Sequence, residues 1–364
     1  MKYIKEGNFL RGMAIIGVLL IHTTTYFSMI HELNLILIVN VTMNVLVHFA
    51  VPLFVFISGM VLANRYYKEY SLKSFYWKRF KSIIPAYFIF SILYIWFNNQ
   101  DLIFDFKQLL KMIFWANASY HLWYFALIVQ LYIIYPFVIK LYIFAEKRNE
   151  VTAFVLTAFF IQLILNLIYI LLVLNVPSVI QMANYIQVFS YLFYFSTGIY
   201  IACNFDNFKK IITSINGSRL SIIFVSFTII MAALFLYGLS KNPFFESVPY
   251  LFLVIPRMLE PFYYIITFIF IFKIKSSIHT TLIKVIESLG AYSFGIYLIH
   301  PLIISITVQK LQLINVYSNQ WIFYPIVLFM ALVGSYLFVY IISFFPYSHY
   351  YIGINKRNVI SRRN

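Results

Sequence analysis

The stretch Arg11-Gly-Met-Ala-Ile-Ile-Gly-Val-Leu-Leu-Ile-His22 places a basic residue at the head of an apolar segment and an imidazole deep within it. Eleven positions at ~100° each come to about 1100°, close to three full turns, so in a helix Arg11 and His22 share one face. At ~1.5 Å per residue they stand about 16 Å apart along the axis, roughly half of a ~30 Å hydrocarbon core. An ionisable group at that depth is costly and marks a functional site by default. A histidine that only hydrogen-bonds a neighbouring helix is the competing reading.

The rest of the chain agrees with a membrane setting. Of 364 residues, 63% are hydrophobic and 10% charged, too little polar surface for a soluble fold of this size. The expected class is all-α, a polytopic bundle of about ten transmembrane helices in a single domain over residues 1–364, with the last ~18 residues a basic tail. The spans are predicted near 12–30, 41–63, 83–97, 121–140, 151–174, 185–203, 220–239, 258–272, 288–308 and 321–345. No small-residue cleavage pattern follows the first, which is read as a retained helix. A short amphipathic piece near Phe106 to Trp115 is expected at the interface, with a packed loop helix the equal alternative.

The net charge of +16 raises the possibility of nucleic acid, but the basic residues fall between apolar runs, as a topology signal does. Alternate connections and both termini hold 22 of the 27 Lys and Arg residues. The positive-inside rule therefore places both termini in the cytoplasm and makes the stretch Arg65 to Lys81 a basic cytoplasmic loop. The lone Cys203 excludes an internal disulfide framework and any multi-cysteine metal site.

In this topology His22, His48 and His300 lie about 10 to 12 Å beneath the outer interface on three helices and are placed to converge. Neutral imidazoles suit general acid or base work near pH 7. Zinc is the rival reading, discounted because neither an i, i+4 histidine pair nor an intramembrane carboxylate accompanies them. His48 and His300 also suit plain helix bridging. At the basic end, Arg65, Lys78, Arg79 and Lys81 could hold phosphate, although the same charges serve topology and anionic headgroups. His121, Trp123 and Arg257 lie near the outer end, where a sugar could rest on them. Trp123 equally fits an interfacial anchor.

Five motifs in order make the resemblance specific: Arg11-x10-His22, Pro52-Leu-Phe-Val-Phe-Ile-Ser-Gly59, Lys78-Arg79-Phe-x4-Pro85, Trp123-x6-Gln130-x-Tyr132-x3-Pro136 and Ser293-x3-Tyr297-x2-His300. Together they resemble the acyltransferase-3 family, integral-membrane O-acyltransferases of surface polysaccharides, in a short branch without an appended extra-cytoplasmic domain. The resemblance implies catalytic roles for Arg11 and His22, an acyl-CoA donor, most simply acetyl-CoA, and a donor-phosphate role for Arg79. Where many members carry a Glu-Glu pair, Ile128 and Val129 stand here.

The expected function is transfer of an acyl group, most simply acetyl, from cytoplasmic acyl-CoA to a hydroxyl of an envelope glycan or glycolipid. Arg11, Arg79 and Arg65 would hold the donor; His48, His121, Trp123 and His300 would serve the acceptor or support the site. No metal and no nucleic acid are expected, and a separate envelope protein is a possible partner. The abundance of Ile, Phe, Tyr, Asn and Lys suggests an A+T-rich genome and so a bacterial cytoplasmic membrane. The alternative is a transporter of a polysaccharide or lipid-linked precursor along the same polar helices.

Overall fold

The computed structural model describes residues 6–30, 32–67, 70–98, 106–175, 190–239 and 249–354. Among them every regular element is helical. In chain order these are α1 (Gly7–Thr24), α2 (Leu35–Val47), α3 (Ala50–Tyr66), α4 (Leu72–Asn98), α5 (Phe106–Phe114), α6 (Trp123–Lys147) and α7 (Val151–Asn175). They continue with α8 (Leu192–Cys203), α9 (Phe205–Ser214), α10 (Gly217–Leu239), α11 (Pro249–Ile274), α12 (Thr280–Leu313), α13 (Phe323–Ile342) and α14 (Ser348–Tyr351).

Among the described residues nine segments are long and apolar enough to cross a membrane, and the apolar α8 is a shorter tenth candidate. The predicted spans all fall on these helices. The beginning of the sixth, at 185–189, lies outside the described residues.

Three details differ from expectation. The second span is two helices, because the chain breaks at His48 and Phe49 between α2 and α3. The residues read as a basic loop are largely helix: Lys73, Lys78, Arg79 and Lys81 occupy the first three turns of α4. No proline or glycine interrupts that run before Pro85, so the helix continues past the apolar segment into the polar region. The chain after α13 also returns to the bundle. Ile352 is buried, and Gly353, at φ +73°, lies so close to Phe294 that only a glycine fits without displacing the ring.

Two helix pairs form the frame. A Cβ at Gly12 would strike the Ile286 carbonyl of α12, and one at Gly290 would strike the Asn8 carbonyl of α1, so these helices cross backbone against backbone. Gly59 and Gly198 do the same for α3 and α8 against Phe195 and Phe56. Helices in a bilayer gain little from the hydrophobic effect between themselves, so close approach at small residues supplies packing energy. α5 fits an interfacial helix: Phe106, Leu110 and Phe114, one turn apart, are all exposed, beside Lys107 and Lys111.

A candidate active site of converging histidines

α1 brings His22 to within two residues of its C-terminal end. The Asn44 amide of α2 secures that end, donating to Thr24 Oγ1 at 2.9 Å and to the Ile21 carbonyl at 3.1 Å. The His22 ring stands 5.1 Å from that of His300 and 5.0 Å from that of Tyr120, centroid to centroid. A third imidazole, His121, lies 5.5 Å from His300.

His300 is fully buried in α12 and is followed by Pro301. Proline has no N–H, so the Tyr297 carbonyl, which residue 301 would otherwise satisfy, is left without its helical donor. The His300 side chain replaces it: Nδ1–H donates to Tyr297 O at 2.8 Å. With that proton committed, Nε2 carries the lone pair in the neutral ring. Nε2 is buried and has no hydrogen-bond partner.

His121, also fully buried, is held from three sides. Its ring lies 5.0 Å from Tyr94 and 5.4 Å from Tyr297, and the Tyr297 hydroxyl donates to its backbone carbonyl. Nδ1 is 3.1 Å from Ser119 Oγ, and Nε2 is buried without a partner.

From His300 a line of side chains leads toward the basic end. The Tyr297 ring is 5.6 Å from His300 and 5.2 Å from Tyr124. Tyr132 follows about two turns further along α6. The Arg79 guanidinium then lies between two rings, 5.6 Å from Tyr132 and 5.7 Å from Tyr66, and its Nε is buried without a partner. Arg65 sits 5.4 Å from the centre of the Tyr66 ring. Here a polar cavity of about 330 Å³ opens, lined by Arg65, Tyr66, Tyr70, Ser71, Ser74, Phe75 and Lys78. Arg79 backs this cavity through Tyr66 and does not line it.

The structure thus brings together His22, His300 and His121. The convergence expected of His48 does not occur: it shares no ring contact with these three and lies within reach of the Arg257 charge, at the break between α2 and α3. Trp123 packs at 6.1 Å on Tyr191, outside the imidazole group. Sequence reasoning missed Tyr94, Tyr120 and Tyr66, for which spacing carries no signal. It also gave no weight to Pro301, which does signal that the Tyr297 carbonyl needs a donor. Among the described residues no group of three or more His, Cys, Asp or Glu side chains is arranged to hold a metal ion.

Fold and site together define a multi-pass membrane protein with a buried imidazole centre and a separate basic pocket. The acyltransferase-3 family model, described as an acyltransferase domain, matches residues 5–340, and the chain belongs to that family. It is a membrane acyltransferase. No curated protein and no solved structure matches the chain.

Proposed function

We propose that the protein transfers an acyl group, most simply acetyl, from cytoplasmic acyl-CoA to a hydroxyl of a bacterial envelope glycan or glycolipid. The observation that carries this reading is the course of α6 between two clusters: Tyr132 stands beside Arg79 near the basic pocket, and Tyr124, about two turns earlier, leads through Tyr297 to His300 and His22. A cationic, hydroxyl-rich cavity suits the phosphates of coenzyme A, which accept charge-assisted hydrogen bonds from guanidinium and ammonium groups. Arg11, on the same helix as His22, steadies the thioester end of the donor by its charge. His22, in the half of the membrane away from the basic end, receives the acceptor hydroxyl proton as that oxygen attacks the thioester carbonyl, and the thiolate leaves with coenzyme A.

Trp123 and Tyr191 offer an aromatic platform for the acceptor sugar. The test is the O-acylation of envelope glycan in cells carrying His22→Ala, read by NMR of the isolated polymer. Surface glycan without O-acyl groups is expected. Full acylation overturns the catalytic role of His22, and glycan retained inside the cell favours a transporter.

A further inference from the structure

We propose that His300 is a positioning residue for His22: its Nε2 accepts the N–H of His22 and so fixes which nitrogen of His22 faces the acceptor. This rests on the reading of His22 as the base. It occupies the place a carboxylate takes when a catalytic imidazole is oriented by an acidic side chain.

The chain of causes begins at Pro301. Without an N–H at that position, the Tyr297 carbonyl takes its proton from His300 Nδ1 at 2.8 Å, with the Ile296 carbonyl at 3.3 Å. Either contact demands that Nδ1 be the protonated nitrogen, because a carbonyl can only accept. His300 Nε2 is thereby an obligatory acceptor in the neutral ring, and it is buried without a donor. An unsatisfied buried acceptor is costly, about 1–3 kcal/mol, so the site favours a donor there.

His22 is the neighbour able to provide one. Two imidazoles joined by a linear N–H···N bond of about 2.9 Å have ring centroids roughly 5 Å apart, and the His22 and His300 centroids are 5.1 Å apart. Catalytic hydrogen bonds are often poorly aligned before substrate binds and tighten afterwards. His121, 5.5 Å from His300 and edge-on to it, is the competing donor. The His22 pairing has the shorter separation and the smaller tilt, 32° against 72°.

When the acceptor hydroxyl gives its proton to the free nitrogen of His22, the other nitrogen keeps its proton and donates it to His300 Nε2. The O–H bond breaks, one N–H bond forms on His22, and the charge is shared through that contact. A hydrophobic residue of similar size at position 300 would fill the space without orienting anything.

The test uses the intact protein in detergent and two readouts that require no acyl transfer, so their outcome is separable from that of the acyltransferase reading. Nitrogen-15 NMR of histidine-labelled wild type should show His300 protonated at Nδ1 and His22 in a single tautomer. Carbethoxylation of His22 by diethyl pyrocarbonate, located by mass spectrometry, should slow about tenfold in His300→Leu, the weight of one hydrogen bond. It should recover to within about threefold in His300→Gln, whose amide oxygen also accepts. His300 protonated at Nε2 in the wild type, a mixed tautomer at His22, or equal carbethoxylation in His300→Leu and wild type would each overturn the proposal. The wild-type spectrum alone decides if the variants do not fold.

Discussion

Gly12 and Gly290 meet where α1 and α12 cross, and each stands ten residues before an imidazole, His22 on one helix and His300 on the other. Because the helices run in the same direction, ten residues at ~1.5 Å carry both side chains about 15 Å from the crossing, to one level. The glycines therefore set the register of the site from its far end. Ala at Gly290 must push the Asn8 carbonyl aside, and overpacking of this kind costs about 1–3 kcal/mol. Thermal unfolding in detergent should show Gly12→Ala and Gly290→Ala markedly less stable. Gly7→Ala, with nothing within 4 Å of the added carbon, should stay close to wild type.

Pro301→Ala should separate stability from catalysis. The new N–H can satisfy the Tyr297 carbonyl, which releases His300 Nδ1 from its 2.8 Å bond. Stability is expected to hold or rise, since a helix-interior proline costs about 3 kcal/mol. Acyl transfer should fall about tenfold, because the ring is then free to reverse its tautomer. Unchanged turnover would mean that the tautomer of His300 is immaterial.

On the donor side, Arg65→Ala and Lys78→Ala each remove a cation from the cavity wall. Each should raise KM for the acyl-CoA donor about tenfold with little change in kcat, and adenosine 3′,5′-bisphosphate should inhibit the wild type competitively. Parallel losses in kcat would place these residues elsewhere in the reaction.

Two histidines of similar sequence depth should behave differently. His22→Ala should abolish transfer, whereas His48→Ala, which makes no ring contact with the imidazole group, should retain transfer within about threefold. Side-by-side turnover measurements on the two purified variants check this.

Much of this architecture was legible in the chain, for a physical reason. Apolar runs must be long enough to cross a bilayer and basic residues collect on one side, so the spans could be assigned without knowing any contact. Arg11 and His22 were legible as a pair because a single helix fixes their relative direction. Contacts between helices were not. His121 opens its predicted span and joins the imidazoles only because α6 and α12 pack with Tyr297 against its carbonyl. His48 matched the others in depth but faces another neighbour, because depth along a helix says nothing of rotation about it. The length of α4 was likewise missed, since hydropathy marks where a helix leaves the apolar layer and not where it ends.

The parallel course of α1 and α12 has a topological meaning. If every long apolar segment crossed the membrane and α8 did not, six crossings would separate these two helices and they would run oppositely. Their glycine crossing at one end and paired imidazoles at the other require a seventh. The twelve residues of α8 supply it: Tyr191, just before its first turn, touches Trp123 at the head of α6, and Asn204, just after its last, bonds Tyr142 near the foot. A helix too short to be recognised by length thus decides the direction of everything after it, and with it which face of the bilayer His300 approaches.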